Sequence, residues 1–168
     1  GGTGIVGGQL PIGTGVGFAI NYRGGDQVCL CFFGDGSVAQ GVFHESLNMA
    51  AVWGLPVIYV VEHNQYGMGT AFDRVSTTDM QDKSGPHGVQ AVSVDGQDVL
   101  ATYALFRKLV QEVRDGSGPK FVNLETYRFR GHSMSDPVSG TYRPTEEVER
   151  RKKEDEPIVE LRDKLFAG

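Results

Sequence analysis

Two short runs carry hard oxygen ligands at matching places in the chain. Asp35 lies in Gly34-Asp35-Gly36-Ser37 and Asn64 in Asn64-Gln65-Tyr66-Gly67, each just beyond an apolar stretch, residues 28–33 and 57–61. If those stretches are neighbouring parallel strands, their tips deliver a carboxylate and an amide oxygen to one sheet edge. Mg²⁺ takes oxygen ligands in near-octahedral geometry and keeps water or phosphate oxygens in the remaining positions. Asp35, Asn64 and an inward-turned carbonyl of Tyr66 would therefore suit a cation shared with a diphosphate. Gly36 and Ser37 are expected to lead into a helix, where free N–H groups and the positive end of the dipole favour an anion. Each run alone is equally an ordinary turn, with Asp35 or Ser37 capping a helix. Their pairing, one helix apart, favours the metal site.

A third group follows the last apolar stretch. Arg128-Phe-Arg-Gly-His-Ser-Met-Ser-Asp-Pro137 holds two guanidinium groups, an imidazole and two hydroxyls. A surface histidine is ordinarily inert, but His132 lies where a ligand edge is expected and could do acid/base or anion-stabilising work. Gly2-Thr-Gly-Ile-Val-Gly7 satisfies the G-x-G-x-x-G pattern of dinucleotide folds. No strand is visible ahead of it, and Asp26 precedes a strand instead of ending one, so a Rossmann reading is disfavoured. The crowding of glycines here means instead that backbone closely approaches something, a flat ring being one fit.

The elements that must position these groups follow from periodicity. The continuous apolar run at 28–33 reads as a strand buried on both faces, and 57–61, 92–94 and 121–124 read as further strands. Helical spacing is visible from Val38 to Trp53 and from an Asp98 cap to Gly116, and residues 146–156 are a charge-dense helix candidate with a solvated face. Residues 63–88 read as a long functional loop with one short helix at most. The alternation gives an α/β fold, a mostly parallel sheet flanked by helices, in one domain over 1–168. Within it, 128–143 is expected to be a mobile active-site loop and 144–168 a helical C-terminal segment. Cys29 and Cys31 point to the same side of a strand, a poor geometry for bridging each other, and read as buried thiols in a reducing compartment.

Composition excludes some roles. A net charge of −5 gives no sequence-wide attraction for nucleic acid or anionic lipid. No apolar run approaches the roughly 20 residues that span a bilayer. The abrupt glycine-rich opening, without Met or targeting sequence, suggests that the N-terminal part of a longer protein is missing.

With these residues in view, the chain resembles a known family. Gly34-Asp35-Gly36 followed by Glu62-His63-Asn64 is similar to the thiamine-diphosphate fingerprint. Gly4-Ile-Val-Gly7, Glu45-Ser-Leu-Asn-Met-Ala-Ala51, Asn64-Gln-Tyr-Gly-Met-Gly-Thr70, Val94-Asp-Gly96 and Tyr127-Arg-Phe-Arg-Gly-His-Ser-Met-Ser-Asp-Pro137 resemble, in order, the α subunits of thiamine-diphosphate-dependent 2-oxo acid dehydrogenases, pyruvate dehydrogenase E1 above all. The resemblance covers essentially all of this chain and about half of a family subunit. It implies a thiamine-diphosphate-binding fold, specifically the half that binds diphosphate and Mg²⁺. Asp35, Asn64 and the Tyr66 carbonyl would hold the metal, Gly36 and Ser37 the diphosphate, Gly4 and Val6 the aminopyrimidine. His132 would be catalytic, near the diphosphate and reacting centre. Ser133 resembles the inactivating phosphorylation site of mitochondrial members, and an insertion at Ser139-Gly-Thr141 blurs any second regulatory hydroxyl.

The same resemblance implies oxidative decarboxylation of pyruvate with acetyl transfer to the lipoyl domain of E2. It also implies an E1 β subunit completing the site in an α2β2 heterotetramer, so that this chain alone would not turn over. The location implied is the mitochondrial matrix in a eukaryote and the cytoplasm in a bacterium. Branched-chain 2-oxo acid and acetoin dehydrogenases are the rival enzymes, and a truncated, non-catalytic interaction module is the rival class. Two positions depart from the pattern: His63 stands where the family has its first Asn, and Arg130 where mitochondrial members tend to have His.

Overall fold

The computed structural model describes residues 2–137 and 140–166. In chain order its main elements are α1 (Gln9–Arg23), β1 (Cys29–Gly34), α2 (Gly41–Val52), β2 (Val57–His63), a hairpin of β3 (Tyr66–Gly67) and β4 (Thr70–Ala71), β5 (Gln90–Asp95), α3 (Val99–Arg114), β6 (Lys120–Glu125), α4 (Thr145–Glu154) and α5 (Pro157–Phe166). β1, β2, β6 and β5 form one sheet in that order, with every pair parallel.

Period-two alternation explains how the central strand is covered on both faces. Val57, Tyr59 and Val61 join Leu10, Phe33, Phe43, Leu47 and Phe121 beneath α1 and α2. Ile58 and Val60 join Val122, Leu109 and Val113 beneath α3. Each large apolar side chain buried in this way contributes roughly 1.5–3 kcal/mol of transfer free energy. The Asp98 carboxylate caps α3 as the sequence suggests, accepting from Leu100 N at 2.9 Å and Ala101 N at 3.0 Å. Cys31 is buried and Cys29 half-buried, both as free thiols. Burial raises both thiol pKa values, that of Cys31 to about 12. Neither is poised to react as a thiolate.

Helix α1 is absent from the reading of hydrophobic period because three glycines interrupt it. The close approach that those glycines signal is to the sheet. A methyl group on Gly13 would lie 2.9 Å from the Cys31 sulfur, and one on Gly17 only 2.4 Å from a Val57 methyl. The Thr14 hydroxyl donates to Leu10 O at 2.9 Å and lies 2.6 Å from the Tyr59 hydroxyl, fixing the helix on β2.

Three other expectations change. Residues Asp35–Ala39 form a 3-10 turn and α2 starts only at Gly41, so Gly36 and Ser37 do not form the first turn of an α-helix. The reason is local: the chain leaves Gly34 in extended geometry and bends through the 3-10 turn before α2 begins. Residues 63–88 contain the β3–β4 hairpin and three 3-10 turns where one short helix at most was expected. The helix expected over 146–156 spans Thr145–Glu154 instead, and α5 begins at Pro157, which lacks the N–H needed to continue a helix.

Candidate functional site

Parallel pairing of β1 with β2 sets Gly34 opposite Glu62, so the next residues of both strands emerge at the same edge. Asp35 is buried there, and its Oδ2 lies 3.3 Å from Nδ1 of the equally buried His63. Among the described residues the hydrogen-bond partner of its carboxylate is His63, and Asp35 is the first residue of the 3-10 turn, not its N-cap. Phe72 packs edge-on against the His63 ring at 4.7 Å, holding the imidazole against Asp35.

Asn64 starts a tight turn in which its Oδ1 accepts from Tyr66 N at 3.1 Å and Gln65 takes a left-handed φ of 72°. One lone pair of that amide oxygen remains available beyond the turn hydrogen bond. The Tyr66 carbonyl faces the Arg128 guanidinium, with Nη1 at 3.5 Å, while Nη2 donates to Met68 O at 2.8 Å and to the Tyr142 hydroxyl at 3.1 Å. Arg128 thereby ties the β3–β4 hairpin to the segment that follows β6.

That segment is internally braced. Asp136 accepts from the His132 backbone N–H at 2.7 Å and from the Tyr142 hydroxyl, and these two contacts hold its pKa below the usual carboxylate value. Gly131 is required by packing, since a methyl group there would come within 2.2 Å of the Asp136 carbonyl oxygen. Arg143, 1% exposed, donates to the carbonyls of Arg128 and Arg130, and the rings of Tyr66, Tyr127 and Tyr142 surround its guanidinium at 5.4–5.6 Å. Burial, then the hydrogen bond with Glu147, pushes the Tyr127 hydroxyl up to about 12. The Ser133 hydroxyl is exposed, 3.1 Å from that of Ser135. Ser139 lies outside the described residues.

The sequence-nominated residues converge. Gly4, Val6, Asp35, Gly36, Ser37, Asn64, Tyr66 and His132 all line one cavity of about 460 Å³, together with Gln9, Met68 and Arg128. A methyl group on Gly4, Gly34 or Gly36 would meet no protein atom within 4 Å, so packing does not account for these glycines as it does for Gly13 and Gly17. Among the described residues the buried Gln9 side-chain oxygen finds no hydrogen-bond partner. Among the described residues no cluster of three or more His, Cys, Asp and Glu could hold a metal, so any cation here must use mixed oxygen ligands. A carboxylate, an amide oxygen and a backbone carbonyl form such a set, and it fits a hard divalent cation that keeps further oxygen ligands from an anion.

Sequence reading did not nominate Gln9, Met68, Tyr142 or Arg143. Gln9 and Met68 carry no chemical signal beside Gly4 and Tyr66. Arg143 sits in a polar run where an arginine reads as solvent-exposed, and only the tertiary placement of three tyrosines shows it to be buried.

The family model described as "Dehydrogenase E1 component" matches residues 1–168. The chain is 48% identical over 166 residues to the pyruvate dehydrogenase E1 component subunit alpha of Rhizobium meliloti, covering 98% of this chain and 47% of that protein. It is 45% identical to the protein of the same name from Zymomonas mobilis, covering 100% of this chain and 47% of the relative. It is 47% identical to the mitochondrial type I alpha subunit of Ascaris suum, covering 100% of this chain and 42% of the relative. The chain thus spans about half the length of the curated relatives it matches, which include bacterial and mitochondrial forms. An X-ray structure of an inferred thiamin diphosphate-dependent enzyme from Mycobacterium smegmatis aligns with a TM-score of 0.60 at 22% identity, covering 74% of this chain and 23% of that one, a likeness of fold. Among the described residues no helix is long and apolar enough to cross a membrane. Matched along its whole sequence by the family model, the chain belongs to the dehydrogenase E1 component family.

Proposed function

We propose that this chain is the diphosphate- and Mg²⁺-binding part of the α subunit of a thiamine-diphosphate-dependent pyruvate dehydrogenase E1. The observation that carries the reading is the meeting of Gly4, Val6, Asp35, Gly36, Ser37, Asn64, Tyr66 and His132 around one cavity. Its glycine walls leave room for a ligand, and its oxygen donors match a cation that shares ligands with an anion.

In this reading Asp35, Asn64 and the Tyr66 carbonyl hold Mg²⁺, and His63 orients the Asp35 carboxylate from 3.3 Å. Gly36 and Ser37 offer backbone and hydroxyl donors to the diphosphate from a 3-10 turn, and Gly4 and Val6 bound the space for the aminopyrimidine. Thiamine diphosphate, when bound, supplies the electron sink for loss of CO₂ from a 2-oxo acid. The residues of this chain bind and orient it. His132, held through its backbone by Asp136, places an imidazole at the cavity for proton transfer or anion stabilisation. A β subunit supplies the rest of the site in an α2β2 heterotetramer, and the lipoyl domain of E2 takes the acetyl group. The compartment is the mitochondrial matrix or the bacterial cytoplasm. A phosphate on the exposed Ser133 would add about −1.5 to −2 charges beside an anionic ligand and inactivate the enzyme.

The test is titration of thiamine diphosphate into the assembled enzyme, wild type and Asp35→Ala, with and without Mg²⁺. Wild type should need the metal and the variant should lose most of its affinity. Equal binding in all four mixtures sinks the metal assignment. Comparing decarboxylation of pyruvate with that of a branched 2-oxo acid decides the substrate.

A further inference from the structure

Of the four methionines, the two most exposed both belong to segments that frame the candidate cavity. Met68 is 64% exposed at the tip of the β3–β4 hairpin and lines the cavity, while Met134 is fully exposed two residues beyond His132. Met49 is 42% exposed on α2, and Met80 is 3% exposed in the core. Met68 also has a left-handed backbone, φ 55°, that a non-glycine residue rarely adopts. Its carbonyl accepts from Arg128 Nη2 at 2.8 Å, and the same guanidinium faces the Tyr66 carbonyl.

We infer that Met68 is an oxidation-sensitive position through which peroxide disables the candidate site. This inference rests on the cofactor reading given above. The step is oxygen transfer from hydrogen peroxide: a sulfur lone pair attacks one peroxide oxygen, the O–O bond breaks and an S–O bond forms. The other oxygen leaves as water after proton transfer, so sulfur loses two electrons and peroxide gains them. The product replaces an apolar thioether by a polar sulfoxide whose oxygen is a strong hydrogen-bond acceptor. The Arg128 guanidinium donates to the hairpin at the Met68 and Tyr66 carbonyls, and a sulfoxide on Met68 would compete with them for its N–H groups. It also adds partial negative charge to a wall that would face an anionic cofactor. Met134 reacts as readily but does not line the cavity, and it serves as the internal comparison.

The experiment treats the assembled full-length enzyme with limiting hydrogen peroxide, maps sulfoxide at each methionine by peptide mass spectrometry, and measures thiamine diphosphate affinity in Mg²⁺ before and after. Wild type, Met68→Leu and Met134→Leu are each compared with their own untreated sample. The expected order places Met68 and Met134 ahead of Met80. Affinity should weaken by about tenfold or more in wild type and Met134→Leu, recover with methionine sulfoxide reductases, and stay at its untreated value in Met68→Leu. Met68→Gln, carrying a polar group in place of the thioether, should bind weakly without peroxide. Oxidation of Met80 before Met68, or equal loss of affinity in wild type and Met68→Leu, overturns the inference. If the reduced wild type binds no thiamine diphosphate, the cofactor reading falls instead, and the order of oxidation still decides whether Met68 is the exposed target.

Discussion

Gly15 and Gly17 are two positions apart in α1, yet the structure gives their replacement by alanine opposite signs. A methyl group on Gly15 meets nothing within 4 Å, so Gly15→Ala keeps only the helix-propensity gain, about 1 kcal/mol. A methyl group on Gly17 would lie 2.4 Å from a Val57 methyl and 3.4 Å from Leu55 Cβ, and Val57 is fully buried in the central strand. Overpacking of this kind costs about 1–3 kcal/mol and a clash with a buried β-branched residue belongs at the upper end, so the net loss for Gly17→Ala is about 1–2 kcal/mol. At about 2–4 °C per kcal/mol for a chain of this size, Tm should rise by about 2–4 °C in the first variant and fall by about 2–8 °C in the second. Thermal unfolding followed by circular dichroism and by Trp53 fluorescence reads this out, because Trp53 packs 5.4 Å from Phe18 of α1. The double variant Gly17→Ala/Val57→Ala should be less unstable than the sum of its parts, since the second change removes the clash. Shifts of the same sign in Gly15→Ala and Gly17→Ala would refute the account of why α1 is glycine-rich.

Further expectations concern the loops. Gly131→Ala should lower activity sharply while barely moving Tm, because its methyl group displaces Asp136 from the His132 N–H in an exposed segment; a steady-state assay beside a melting curve checks it. Arg143→Lys loses the planar fork that reaches the Arg128 and Arg130 carbonyls, so denaturant unfolding should show a loss of about 1–3 kcal/mol, and unchanged stability would count against the tyrosine-lined site. Burial, then the His44 charge, lowers the His87 pKa, and its ring nitrogen lies 2.9 Å from His44 Nδ1. The contribution of neutral His87 is thus fully present above the unfolded histidine value of about 6.5 and is lost as pH falls through the lower folded value, so His87→Ala should flatten the acid side of a stability–pH curve below about pH 6.5. Asp136 behaves in the same direction at lower pH: its pKa is depressed by Tyr142 and the His132 N–H, so bracing of the loop persists at neutral pH and is lost only below the ordinary carboxylate range.

Sequence alone located the four strands of the parallel sheet, the Asp98 cap, and the positions of Asp35 and Asn64 just beyond two strands, but not the β3–β4 hairpin or the outer face of β1, where Leu30 and Phe32 are exposed and not buried as the apolar run suggests. What it located depends on local pattern: unbroken β-branched and aromatic runs, a side chain that can cap its own helix, and polar residues placed just after each apolar stretch. It could not assign the glycines, because a missing side chain looks the same whether a sheet, a turn or a ligand fills the space. Tertiary structure divided them, setting Gly13 and Gly17 against β1 and β2, Gly131 against Asp136, and Gly4 and Gly36 along an open cavity. It alone also decided that Arg143 is buried among tyrosines contributed by three separate parts of the chain, and that Met68 and Arg128 share the cavity wall. Those contacts join residues far apart in sequence, and their energies exist only once the sheet has brought its loops to one edge.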